Sequence, residues 1–517
     1  MIKFRYLLAV SLLLLASFGL MPAQQPTPDA TAKPVETPRP AASPAMMAEE
    51  PPVVTRHEMK VGGKTLAYKT TTGFMPIKNA QGETEARMFF MAYTLDNTGP
   101  AAQRPLMFSF NGGPGSASVW LHLGALGPRR VKMQEDGMMP PPPYQLVDNE
   151  STWLDKTDLV FIDPVGTGYS RAAKPELAAK FFGLQGDLDS VGEFIRLYLS
   201  RYERWPSPLF LVGESYGTTR AAGLAGLLVE KGIAFNGVLL ISTILNFQTT
   251  NFALGNDLPY LLMFPSYTST AYYHKRLPAD LQSKPLRQVL EEAEKWVAND
   301  LTVAYSKGDG LTVAERQAVI AKMARYTGLS PEFIANNNLR VELGRFNKEL
   351  LRATQRTTGR LDSRFTGIDA TSAADRPEFD PSLTAIRPPY TAAFNSYVRS
   401  ELGYKSDAEY YILGGGITAP WNFGSGNAYA DTSNALRSAF AKNPFLKVFV
   451  AFGYYDMATP YYAAEYTLNH MGLDTTHQAN ITRAYYEAGH MMYIDTKSRL
   501  KLKSDVDSFI DHAWKGN

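Results

Sequence analysis

The feature that most constrains this chain is one local arrangement: an apolar run, Pro208-Leu209-Phe210-Leu211-Val212, enters Gly213-Glu214-Ser215-Tyr216-Gly217, and a helical stretch rich in Ala, Gly and Leu follows from Thr218 to Lys231. A G-x-S-x-G between a strand and a helix is a turn too sharp for side chains at the glycine positions, and it thrusts the serine hydroxyl out at the strand's C-terminal edge. Ser215 is therefore the candidate nucleophile. The bland alternative, a glycine-flanked serine capping a helix, fits the bare five-letter pattern but leaves the strand before it unexplained.

Around this turn the chain alternates strand and helix. Lys64–Tyr68, Arg87–Leu95 and Leu106–Phe110 read as strands separated by glycine and asparagine turns. Apolar runs without polar alternation recur at Asp158–Asp163, Leu209–Val212, Gly237–Ser242 and Leu446–Phe452, as expected of central strands covered on both faces. With helical stretches such as Leu188–Arg201 between them, the expected class is α/β, a mostly parallel sheet with helices on both faces. Residues 247–406 differ in texture: Pro285–Ala304, Thr312–Tyr326, Ser330–Asn336 and Arg340–Thr354 carry helical spacing, with a Thr312/Glu315 capping box and Ser330-Pro331 as a helix start. They are expected to form a mostly helical cap inserted between the catalytic segments 53–246 and 407–517.

The N-terminus is a separate object. Lys3 and Arg5 precede an uncharged apolar run from Tyr6 to Leu20, and small residues follow near Ala23, the pattern of a secretory signal over residues 1–23. The run is short of the roughly 20 residues a membrane span needs, so stable membrane insertion after cleavage is not expected. Residues 24–52 are proline-rich and poor in apolar groups, and read as an extended tether. The chain is thus expected to be exported, to the periplasm or beyond.

Composition removes whole classes of chemistry. Of 517 residues none is cysteine, which excludes disulfides, thiolate metal sites and a cysteine nucleophile. Fifty-two Lys+Arg against 50 Asp+Glu, with no basic block, makes nucleic acid a poor partner. There is no phosphate-cradling loop, zinc helix or dinucleotide fingerprint, so neither a metal nor a cofactor is expected. Monomer and homodimer both remain open.

A serine hydroxyl needs a base, and the base needs an orienting acid. Among seven histidines, His490 stands on a glycine-preceded loop after the short apolar run Ile481–Tyr486. His470 and His477 are its rivals. Asp456 lies just past the run Leu446–Phe452, where an exposed turn aspartate is the alternative. The order Ser215, Asp456, His490 is that of the α/β-hydrolases, with the helical insert placed to roof the site. Tyr454, Tyr455, Tyr461 and Tyr462 beside the acid either line a side-chain pocket or simply pack.

Four blocks then carry a resemblance to the serine carboxypeptidase family: Asn111-Gly112-Gly113-Pro114-Gly115-Ser116 with Gly127-Pro128; Asn149–Trp153 with Asp163-Pro164-Val165-Gly166-Thr167-Gly168-Tyr169-Ser170; the Ser215 elbow; and the Asp456 and His490 loops. The resemblance implies an α/β-hydrolase fold, a Ser215-His490-Asp456 triad, an oxyanion hole from the backbone N–H groups of Gly113 and Tyr216, and a site for the substrate's free C-terminal carboxylate at Asn111 and Glu214. A glycine loop after a strand and the residue after the nucleophile are also where such donors are placed on chemical grounds. The chain departs from the family at Ala125, where a second glutamate is usual, at Ser116, where cysteine is usual, and in the acid loop, where Tyr454 follows the glycine. The implied activity is release of C-terminal amino acids from peptides, with weakened selection for a free C-terminus and less need of acidic pH. An esterase or acyltransferase with the same triad, and a binding protein on an inactive hydrolase fold, are the alternatives.

Overall fold

The structure is a computed structural model that describes residues 49–96, 98–424 and 429–515. The expected signal segment 1–23 and most of the expected tether lie outside the described residues. The tether's last four residues do not behave as one: Glu49 pairs with Lys78 at 3.1 Å and Arg201 at 3.0 Å, and Pro52 lies over Gly73. These surface pairs and the Pro52–Gly73 contact lay the segment against the sheet where proline composition alone predicts free extension.

Nine strands give the main sheet its path: β1 Val53–Val61, β2 Lys64–Lys78, β3 Thr84–Leu95, β4 Leu106–Phe110, β5 Asp158–Ile162, β6 Leu209–Ser215, β7 Gly237–Thr243, β8 Lys447–Gly453 and β9 Ile481–Tyr486. Their spatial order is β1-β2-β3-β5-β4-β6-β7-β8-β9, with a two-residue strand at Arg171–Ala172 added against β3. From β5 to β9 every neighbouring pair is parallel, while β1, β2 and β3 form an antiparallel flank. β6, which carries Ser215, lies inside the parallel part between β4 and β7.

The apolar runs are explained by two cores. Alternate residues of each strand enter opposite clusters. Met107, Phe161, Phe210, Ile241 and Phe449 face one side with Val506 and Phe509 of the helix Thr496–Lys515. Phe108, Val160, Leu211, Leu240 and Val450 face the other with Phe194 of Leu184–Arg201 and Leu224 of Tyr216–Glu230. With both faces covered, most strand positions are apolar, which is why periodicity of two is absent from the sequence.

Residues 258–350 supply most of a third cluster, built from short helices around Phe264, Trp296, Tyr326 and Phe346 and joined by Met457, while Leu286 and Leu290 pack into the second sheet core. The expected insert 247–406 does not share one core, however. The helix Pro381–Ser400 sends Ile386, Tyr390, Phe394 and Tyr397 into the first sheet core. The helix forms despite Pro388 and Pro389 in its interior, because four large side chains at helical spacing bury fully, at about 1.5–3 kcal/mol each.

Candidate active site

β6 runs directly into the helix Tyr216–Glu230, and the junction residue Ser215 has φ 60° and ψ −130°. A non-glycine residue held there costs on the order of 1–3 kcal/mol and persists only if its surroundings impose it. They do: a β-carbon on Gly213 would fall 2.0 Å from the Gly217 carbonyl oxygen, and one on Gly217 would fall 2.8 Å from that of Phe110. The Thr218 hydroxyl closes the turn by donating to the Ser215 carbonyl at 2.7 Å. Behind it Arg220, fully buried, donates to Asp187 at 2.8 Å and to the Asn111 carbonyl at 2.7 Å, tying the elbow helix to the loop after β4.

That loop brings Gly112 against the elbow, so close that a β-carbon would sit 2.4 Å from the Tyr216 nitrogen. Gly113 follows with φ 101°, a left-handed conformation open to glycine. Its N–H makes no hydrogen bond among the described residues, and the Tyr216 N–H opens a helix, where amides have no intrahelical partner. Gly113, Ser215 and Tyr216 line the same cavity.

Asp456 and His490 meet. His490 Nδ1 and Asp456 Oδ2 are 2.7 Å apart, and the carboxylate is wholly buried. Asp456 Oδ1 accepts the N–H groups of Ala458 at 2.7 Å and Thr459 at 2.9 Å, and the Thr459 hydroxyl donates to Oδ2 at 2.6 Å. The histidine backbone is held as firmly, donating to Leu361 at 2.7 Å and accepting from the Ser242 hydroxyl at 2.6 Å. Ser242 adjoins Thr243, the register partner of Ser215, so His490 is anchored one strand from Ser215 at the same sheet edge. No hydrogen bond joins His490 to the Ser215 hydroxyl among the described residues. Burial alone would lower the imidazole's pKa; the charge and hydrogen bond of Asp456, with Glu214 behind them, outweigh it and hold His490 above the usual histidine value.

Asn111 and Glu214 are also brought together, the Asn111 amide donating to Glu214 Oε1 at 3.0 Å. Asn111 Oδ1 accepts from Leu121 at 3.0 Å, and Glu214 Oε2 accepts from the Tyr493 hydroxyl at 2.5 Å. Neither residue lines the cavity at Ser215; both are buried. Burial pushes the Glu214 carboxyl up to about 7, against the lowering pull of His490 and its hydrogen bonds. The Tyr493 ring packs over Gly124, beside Ala125. A phenol thus supplies a donor to Glu214 next to the position where the family usually has a second acid.

The cavity measures about 1240 Å³. Tyr216, Phe247, Phe252, Phe379 and Phe423 give it aromatic walls, and Thr358, Arg360, Arg376 and Asp380 line it as well. Tyr454, Tyr455, Tyr461 and Tyr462 are not part of it: Tyr454, Tyr455 and Tyr461 are core residues, and the Tyr461 hydroxyl donates to Glu294 at 2.5 Å. The rival histidines serve local structure, His470 against the Tyr466 carbonyl at 2.7 Å and His477 against Asp474 at 2.9 Å. Sequence reasoning missed Thr459, Tyr493 and Arg360. Only Thr459 carried a signal, since a threonine three residues after an acid is placed to bond back to it.

Among the described residues no group of three or more acidic, histidine or cysteine residues could hold a metal, and no helix is long and apolar enough to cross a membrane. Serine carboxypeptidase-like 8 of Arabidopsis thaliana is 26% identical over 230 residues, 43% of this chain and 48% of that one. The pheromone-processing carboxypeptidase KEX1 of Saccharomyces cerevisiae is 32% identical over 155 residues, 28% of this chain and 20% of that one. These matches span less than half of the relatives' length. The crystal structure of KEX1(delta)p, a prohormone-processing carboxypeptidase from Saccharomyces cerevisiae, matches with a TM-score of 0.50 at 17% identity, covering 85% of this chain and 91% of that one, and so shares the fold. The family model described as serine carboxypeptidase matches residues 61–503, most of the chain, which therefore belongs to the serine carboxypeptidase family.

Proposed function

We propose that the protein is an exported serine-type carboxypeptidase acting on peptides through an acyl-enzyme on Ser215. The observation that carries this reading is the buried 2.7 Å contact of His490 with Asp456, anchored beside the strained elbow that presents Ser215 to an open cavity. In the reaction the Ser215 hydroxyl adds to the carbonyl carbon of the last peptide bond while His490 takes its proton. Asp456 fixes the imidazole's tautomer and stabilises the imidazolium. The negative charge that develops on the carbonyl oxygen is met by the N–H groups of Gly113 and Tyr216, each such donor being worth about 100- to 1,000-fold. His490 returns the proton to the departing amine, the C–N bond breaks and a free amino acid leaves. Water then adds to the ester with the same base, and Ser215 is restored.

The aromatic wall of Tyr216, Phe247 and Phe423 supports an apolar side chain on the residue that is acylated to the enzyme. Export rests on the residue pattern of 1–23. The test compares a blocked dipeptide with its C-terminal amide: preference for the free acid, abolished in Ser215→Ala, is expected. Equal rates on acid and amide would remove the carboxypeptidase reading, and undiminished hydrolysis by Ser215→Ala would remove the nucleophile.

A further inference from the structure

An enzyme that selects a free C-terminus must hold a carboxylate close to its nucleophile. In this chain Asn111 and Glu214 lie buried outside the Ser215 cavity, and both Glu214 oxygens already accept hydrogen bonds, from Asn111 and Tyr493. A substrate carboxylate arriving there would meet an acid rather than a cation, so one of the two would need a proton.

The cavity itself offers a different partner. Four charged residues line it: Glu342, Arg360, Arg376 and Asp380. Arg376 is paired with Glu342. The Asp380 carboxylate is held by the N–H groups of Arg360 at 3.0 Å, Ser382 at 3.0 Å and Leu361 at 3.3 Å, with the Ser382 hydroxyl as a fourth donor at 2.5 Å. The Arg360 guanidinium, by contrast, is exposed and makes no ion pair or side-chain hydrogen bond among the described residues. Its backbone is fixed on the site's own loops. The Arg360 carbonyl accepts from Met457 at 3.1 Å, directly after the acid, and the next residue, Leu361, accepts from His490. A rigid backbone thus places an unpaired guanidinium, the side chain whose fork matches a carboxylate in two parallel hydrogen bonds, on the wall shared with Ser215.

Building on the serine-hydrolase reading above, we propose that Arg360 is a specificity residue that binds a carboxylate of the substrate within the Ser215 cavity. The carboxylate has two possible sources, the free C-terminus or an acidic side chain, and one substrate set separates them. A blocked dipeptide acid, its amide, and a pair of amidated peptides with Glu or Gln on the acylated residue are hydrolysed by the wild type, Arg360→Ala and Arg360→Lys. Arg360→Ala is expected to lower kcat/KM at least about tenfold on carboxylate-bearing substrates and less than twofold on neutral ones, with Arg360→Lys between. Loss confined to the dipeptide acid identifies the C-terminus as the source; loss confined to the Glu peptide identifies the side chain. Unchanged acid-to-neutral ratios in Arg360→Ala, with Ser215 still labelled by a fluorophosphonate, overturn the Arg360 assignment and leave the hydrolase reading standing. Absence of labelling in the wild type overturns both.

Discussion

The Tyr493 hydroxyl donates to Glu214 Oε2 at 2.5 Å from a position 279 residues away in the chain, and the two side chains seal each other from solvent. The contact sits directly behind the elbow, because Glu214 precedes Ser215 on β6. Removing the hydroxyl while keeping the ring leaves a buried carboxyl oxygen without its donor. Tyr493→Phe is expected to lose about 1–3 kcal/mol in denaturant unfolding. An unchanged midpoint would mean that the phenol contributes nothing at this site.

In the proposed mechanism Asp456 acts on His490 rather than on substrate. Asp456→Asn keeps the shape of the side chain but reverses the donor pattern facing Nδ1, favouring the wrong imidazole tautomer. Hydrolysis of a neutral ester is expected to fall about 10⁴-fold in kcat, with folding intact by circular dichroism. A loss under tenfold would mean that His490 is not oriented by this acid.

As the proposed base, His490 must be neutral to act, and its pKa is held above the ordinary histidine value, against burial, by Asp456 and Glu214. Activity on a neutral ester therefore falls as pH drops through an apparent pKa above about 6.5. Glu214 titrates near 7 and its ionised form favours the imidazolium, so the two groups titrate as a coupled set. Glu214→Gln removes a negative charge beside the imidazolium. The acid limb of kcat/KM is expected to shift to lower pH; a shift to higher pH would contradict the electrostatic arrangement.

Backbone crowding at the elbow is testable with a matched pair. Gly213→Ala places its β-carbon 2.0 Å from a backbone oxygen that cannot withdraw, whereas Gly310→Ala enters open space at an ordinary φ. The first is expected to cost at least about 3 kcal/mol or to prevent soluble expression, and the second to stay within about 0.5 kcal/mol. Similar stabilities for the two variants would contradict the elbow geometry.

What was legible in the sequence was whatever is encoded locally. The Ser215 turn announces itself because strand, glycines and helix are contiguous, and Ile481–Tyr486 is found with its observed bounds because turn residues flank it on both sides. The helix Pro381–Ser400 was hidden by two prolines, although Ile386, Tyr390, Phe394 and Tyr397 repeat at helical spacing; burial outweighed propensity. The tyrosines on either side of Asp456 were ambiguous, since an aromatic run reads alike whether it lines a cavity or fills a core. Tyr493 and Arg360 could not be found at all: each depends on which distant segment the fold lays beside it.

The central claim is that Ser215, activated by His490, is the nucleophile. It is tested most directly by treating the protein with a fluorophosphonate and mapping the adduct by mass spectrometry in the wild type, Ser215→Ala and His490→Ala. One adduct on Ser215 is expected, absent in Ser215→Ala and formed at least about 1,000-fold more slowly in His490→Ala. An unlabelled wild type, or an adduct that persists when Ser215 is replaced, would contradict it.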